Sequence, residues 1–212
     1  MQLSSLPETA LSARVRTASW AAHGDAEGSG FMAQLMAGEL PAESFAQLVA
    51  QQWFLYDAIE TAAVGVADPV LDRVAIPEVA RAAALAADAA HWFGPDWRDV
   101  VSPLPETVQY CDRVRTVAGT WPPGLVAHHY VRSMGDLSGG PMIGRAAAKA
   151  YGLVGEGVAF YRFADLDDGP AYKARYRELL DEAPWSSEDQ DRFIDEVLVA
   201  YALSTAMLDA LA

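Results

Sequence analysis

Three short stretches carry residue types at spacings that could do chemistry. In "RTASWAAHGDAE" Arg16 stands seven residues before His23, and Glu27 four residues after it. At about 100° per helical residue these side chains fall within roughly 60° of one another, on one face. An imidazole flanked by a carboxylate and a guanidinium can ligate a metal and hold an anion. The same pattern also suits a solvated or core histidine among ordinary surface charges. In "VRSMGDLSGGPMIGR", residues 131–145, Gly135, Gly139, Gly140 and Pro141 interrupt a segment otherwise patterned as a helix. Each interior glycine costs about 1 kcal/mol relative to alanine, and proline more, so the interruption needs a reason.

Asp136 shares its helical face with His129, Arg132, Gly139, Gly140 and Ile143. Glycines one turn beyond the carboxylate would let the backbone approach a flat ligand and let the helix bend. The competing reading is a helix capped at the glycines and a second helix begun by Pro141. In "AYKARYRELL" Lys173 and Arg177 stand at i,i+4, with Arg175 opposite. That pair could clamp a carboxylate, although a solvated basic face has the same spacing.

The other candidates are weaker. His128 and His129 read as structural or surface groups. His91, three residues after Asp88, imitates half of a carboxylate di-iron motif, but the other histidines supply no second half. Cys111 is the single cysteine, so an intrachain disulfide and a cysteine metal cluster are excluded, and it is expected to be buried and inert.

Helices must position all of these groups. Helical periodicity predicts elements near 7–28, 30–38, 41–67, 77–93, 104–119, 124–151, 155–163, 169–182 and 186–211. The breaks fall at "GELP", "ADPV", "AIPE", "FGPDW", "VSPLP", "TWPPG", "DDGP" and "EAPW". Ser187, with Gln190 three residues on, reads as a capping box opening the last helix. Without a repeat, linker or shift in composition, the 212 residues read as one all-α domain spanning 1–212.

The formal charge of −14 argues against nucleic acid or an anionic membrane as a partner, while leaving room for a local basic patch. The chain contains only two lysines, Lys149 and Lys173. The N-terminal "MQLSSLPETALSARVR" lacks a signal-peptide core. The apolar run from Val197 to Leu208 falls well short of the roughly 20 residues of a membrane span. A soluble, cytoplasmic protein is expected.

Taken together, "HHYVRSMGDLSGG" and "AHGDAEGSGFMAQLMAGEL" resemble the distal and proximal helices of the heme oxygenases. "QQWFLYDAIE" and "FYRF…YKARYRELL" extend the likeness over essentially the whole chain, nearest to the soluble bacterial members. The resemblance implies an all-α bundle holding heme between a proximal helix and a kinked distal helix. It makes His23 the axial ligand of heme iron, with Glu27 fixing the imidazole. It assigns Gly135, Ser138, Gly139 and Gly140 to a flexible distal segment. Asp136 would organise distal waters with Arg132 and Tyr56, while Arg16, Tyr130, Lys173 and Arg177 would hold the propionates.

The implied reaction uses O2 and electrons to open heme b, both substrate and cofactor, to biliverdin (the IX-alpha isomer), CO and ferrous iron. The implied electron donor is a ferredoxin or a flavin reductase. A basic patch of Arg16, Lys149, Lys173 and Arg177 at the heme edge would suit an acidic ferredoxin. Against the family pattern, Ser204 stands where many relatives carry asparagine, and Pro141 replaces a usual polar residue; Ser133 and Met134 also vary locally. Two alternatives are a non-catalytic heme carrier and a thiaminase-like enzyme on the same architecture. The second would need a cysteine nucleophile, which the lone Cys111 makes a poor fit.

Overall fold

Prolines open several helices, as their missing N–H dictates: Pro105 and Pro122 sit in the first turns of their helices, and Gly152 closes one in a left-handed conformation at φ 68°. A computed structural model describes residues 10–27 and 30–212, the side chains of residues 25–27 excepted. The helices in chain order are α1 (Leu11–Glu27), α2 (Gly30–Ala37), α3 (Ala42–Gly65), α4 (Leu71–Val74) and α5 (Ala82–Phe93). They continue with α6 (Trp97–Val100), α7 (Pro105–Thr120), α8 (Pro122–Tyr151), α9 (Gly169–Asp181) and α10 (Ser187–Asp209). No strand occurs among the described residues.

Several expected boundaries shift for local reasons. The predicted 77–93 helix divides into a 3-10 turn at Pro77–Val79 and α5. The Glu60 carboxylate accepts hydrogen bonds from the backbone of Arg81 and Ala82 and so caps α5 from another helix. The predicted 155–163 helix shrinks to a 3-10 turn at Ala159–Tyr161. Asp88 captures the backbone N–H groups of Ala159 and Phe160, each at 2.8 Å, and anchors that turn. The cap of α10 is Ser186, not Ser187: its hydroxyl accepts from the Asp189 N–H at 3.1 Å.

The long segment is one unbroken helix. Of the two readings left open, the cap followed by a second helix is therefore excluded, and Pro141 lies inside α8. Its ring leaves the Leu137 carbonyl without its helical donor.

α8 runs through the middle of the bundle, packed by α10, α7, α3, α2 and the 159–161 turn. One apolar cluster includes Leu55, Ile59, Tyr110, Val114, Leu125 and Phe193. A second includes Phe31, Phe45, Leu85, Trp97 and Phe160. Each fully buried large side chain contributes about 1.5–3 kcal/mol. α1 lies against α10 and α9, and His23 near its end meets Tyr201 of α10. No described helix is long and apolar enough to cross a membrane.

Candidate active site

Between α1 and α8 lies a cavity of about 140 Å³, lined by His23, Gly135, Asp136, Gly139, Tyr201 and Ser204. His23 is half-buried and meets the Tyr201 ring edge-on, with centroids 6.1 Å apart. On the α8 wall, among Val131, Asp136 and Ile143, two positions are bare backbone. A Cβ added at Gly135 would meet nothing within 4 Å, and one at Gly139 would reach only Ile143 Cδ1 at 3.9 Å. The glycines therefore leave open space over the cavity rather than relieving a clash.

Gly140 does not share this role, contrary to the face expected for it. It turns toward Tyr161, whose Cδ1 lies 3.5 Å from an added Cβ, and Gly144 one turn later would drive its Cβ to 2.6 Å from the Tyr161 Cβ. These two glycines admit the 159–161 turn against α8.

Asp136 is the centre of a polar network. The Tyr56 hydroxyl, carried by α3, donates to its Oδ2, and Arg132 approaches the same oxygen at 3.1 Å from one turn earlier on α8. The Arg132 guanidinium also lies 5.4 Å from the Tyr56 ring centroid. Burial raises the Asp136 carboxyl above its ordinary range, more than Arg132 and the Tyr56 hydrogen bond pull it down. Burial likewise holds the Tyr56 phenol well above 10, reinforced by Asp136. Arg132 stays charged: burial works against its charge, but Asp136 and the neighbouring phenols outweigh it. The trio is thus a carboxyl that can take up a proton, tied to a fixed cation.

The departure at Ser204 has a clear geometry. Its hydroxyl donates to the Ala200 carbonyl at 2.9 Å and lies 3.5 Å from the Tyr110 hydroxyl. Burial pushes the Tyr110 phenol up to about 12. Tyr110 escaped the sequence reading because it sits in "VQYCDRV" with only core-like periodicity.

At the cavity edge α9 meets α8. Lys173 Nζ donates to Ser138 Oγ at 3.1 Å, and Ser138 reaches the Met134 carbonyl at 2.7 Å. Tyr130 is buried, which raises its phenol, while the positive charges of Arg177 and Arg16 act in the opposite direction. Arg16, Tyr130, Lys173 and Arg177 thus come from α1, α8 and α9 to one region. Lys149 does not join them, because it lies about 16 Å along the α8 axis from Ser138. The side chain of Glu27 lies outside the described residues.

The remaining candidates have structural work. His129 turns away from Asp136's cavity: its Nδ1 pairs with the Tyr176 hydroxyl at 3.0 Å, and burial lowers it to about 4. It borders a separate cavity of about 430 Å³ behind the Tyr56–Arg132 pair, which Glu60 also lines. His128 is wholly buried rather than on the surface, with Nε2 2.8 Å from Glu196. His91 lies beside Glu156 at 3.7 Å, and no group of three or more metal-ligating side chains occurs among the described residues. Cys111 is buried, its Sγ 3.4 Å from the Phe54 carbonyl, and burial raises its thiol to about 11.

An imidazole facing a side-chain-free strip, an acid beside it and cations at the rim suit a flat, iron-bearing dicarboxylate. Comparison with known proteins agrees. A family model described as heme oxygenase matches residues 9–210. Heme oxygenase 1 of Synechocystis is 36% identical over 202 residues, covering 95% of this chain and 84% of that protein. Heme oxygenase 1 of Rattus norvegicus is 34% identical over 214 residues, covering 99% of this chain and 74% of that one. The crystal structure of heme oxygenase-1 from Synechocystis in complex with heme superposes with a TM-score of 0.91 at 35% identity, covering 96% of this chain and 92% of that one. By its family match, its relatives and its fold, this chain belongs to the heme oxygenases.

Proposed function

We propose that heme lies between His23 and the Gly135–Gly139 strip, with His23 ligating its iron and Asp136 handling protons on the opposite face. The observation that carries this reading is the bare α8 backbone facing His23 across a cavity that Asp136 also lines. The described walls enclose about 140 Å³. Bound there, heme supplies the oxygen-activating iron and is itself the molecule opened.

The chain's own residues do the rest. Gly139 keeps side chains off the ring, so a small ligand can lie low over one edge. Asp136, held by Tyr56 and Arg132, would hold a proton beside the bound heme and pass it on through water. Arg16, Tyr130, Lys173 and Arg177 fix the propionates and hence the rotation of the ring, which selects the α meso carbon and gives the IX-alpha isomer. Glu27 orients the His23 imidazole.

The same cationic edge is the docking face for an acidic ferredoxin, although Lys149 is too distant to contribute to it. Reversing the charge of Lys173 is expected to slow ferredoxin-supported turnover, most at low salt. Unchanged ferredoxin-supported rates would remove this face as the docking site. The placement of heme is tested by incubating the protein with hemin, O2 and a reducing system and resolving the product by chromatography. Biliverdin IX-alpha is expected. Intact reduced heme would contradict catalysis, and a mixture of meso isomers would contradict a ring held in one rotation by the propionate clamp.

A further inference from the structure

Adjacent glutamines on α3 are treated very differently. Gln51 is fully buried and partnered at both ends: its Oε1 accepts from the Leu104 N–H and the Thr107 hydroxyl, and its Nε2 donates to the Ser102 carbonyl. Gln52 is 7% exposed, yet its Oε1 has no hydrogen-bond partner. Leaving a buried polar atom unmatched is costly, and such atoms in native proteins have a reason.

The position of Gln52 supplies one. It borders the same cavity as His23, Asp136 and Gly139, in a stretch otherwise lined by Met32, Leu48, Ile143 and Leu208. It stands one helical turn before Tyr56, so both project from one face of α3. Tyr56 grips Asp136, while Tyr161 lines the same cavity as Gln52, near enough for the amide to pull its phenol down against burial, and packs on Gly140 and Gly144 of α8. Gln52 therefore shares the cavity wall with Tyr161, which packs on α8. The Tyr161 hydroxyl can accept from Nε2 or donate to Oε1, so an amide turned over keeps that neighbour and presents its Nε2 hydrogens where the unmatched Oε1 lies. Whichever way the amide is turned, one of its poles lacks a protein partner.

We propose that Gln52, braced by Tyr161, is a specificity-determining residue whose amide hydrogen-bonds a small ligand or its bridging water over the glycine-lined face of heme. It forms a second polar anchor on α3, apart from the one at Asp136, and the two together fix the edge toward which the ligand leans. This rests on heme lying between His23 and the Gly135–Gly139 strip.

The test uses carbon monoxide on the ferrous heme-loaded protein, read by the infrared C–O stretch in H2O and D2O. An N–H directed at the ligand draws electron density onto it and weakens its bond. Gln52→Leu is therefore expected to raise the stretch and reduce its deuterium sensitivity, and to broaden the biliverdin isomer distribution. Tyr161→Phe, which frees the amide without removing it, should broaden the stretch band. Heme-free Gln52→Leu should melt at a higher temperature than the parent, because an unmatched polar atom is gone. An unshifted stretch in Gln52→Leu together with an unchanged isomer pattern would overturn the proposal. Should Gln52→Leu fail to fold, an unaltered band in Tyr161→Phe would overturn it equally. Failure of the underlying heme placement would show separately, as a parent heme spectrum indifferent to His23→Ala.

Discussion

At the scale of single residues, unequal partners surround one carboxyl. Asp136 is raised by burial and kept in place by Tyr56 and Arg132, which suits the proton-exchanging role proposed for it rather than one of gripping heme. Asp136→Asn preserves size and most hydrogen bonds while removing that exchange. Biliverdin formation is expected to fall by roughly 10²–10⁴-fold, the range of a lost acid–base group, with the hemin titration curve unchanged. Equal losses in hemin affinity and turnover would instead make Asp136 a binding residue. His23, Asp136 and the Lys173–Arg177 pair stood out in the sequence by residue type and helical spacing, but that spacing alone also suited solvated or core groups, and their proposed roles came from the family resemblance. Gln52 and Tyr110 did not stand out, since an amide and a phenol among apolar neighbours look like ordinary core. Only the spacing of Gln52 to Tyr56, one turn on a shared face, hinted at it.

At the scale of elements, α8 does two jobs with one set of glycines. Gly135 and Gly139 face open space, whereas Gly140 and Gly144 receive Tyr161. Gly144→Ala forces atoms to 2.6 Å and is expected to destabilise the fold by about 1–3 kcal/mol, measured by denaturant unfolding. Gly119→Ala, near the end of α7 with nothing within 4 Å of its new Cβ, serves as the control and should be neutral or slightly stabilising. Composition and period made the helices readable, but one sequence face could not be divided between a ligand and a packed ring. That division depends on the 159–161 turn, whose place is set by Asp88 on α5, more than seventy residues away. The same long-range capture shortened the helix expected at 155–163.

At the scale of the whole molecule, buried ionisable pairs set the acid limit of the bundle. Burial holds His129 at about 4, against an ordinary 6.5, so the unfolded chain binds a proton that the folded chain refuses. Stability should therefore fall as pH drops from 6.5 to 4, by up to roughly 3 kcal/mol from this residue. Burial alone would raise Glu196, but its hydrogen bonds to His128 and Arg113 win and lower it to about 2. Its contribution is intact above its ordinary 4.5 and is lost as pH falls toward 2. Denaturant unfolding of the heme-free protein across pH should show both slopes, and His129→Gln should flatten the first. Against a net charge of −14, the rim where α1, α8 and α9 meet gathers the positive charges of Arg16, Lys173 and Arg177. The central claim is that α1 grips heme iron through His23 while α8 covers the other face. The most direct measurement is the ferric heme spectrum and hemin affinity of His23→Ala, with and without added imidazole. Loss of the parent spectrum, weaker binding and recovery by imidazole are predicted; a parent-like spectrum and affinity without imidazole would contradict the claim.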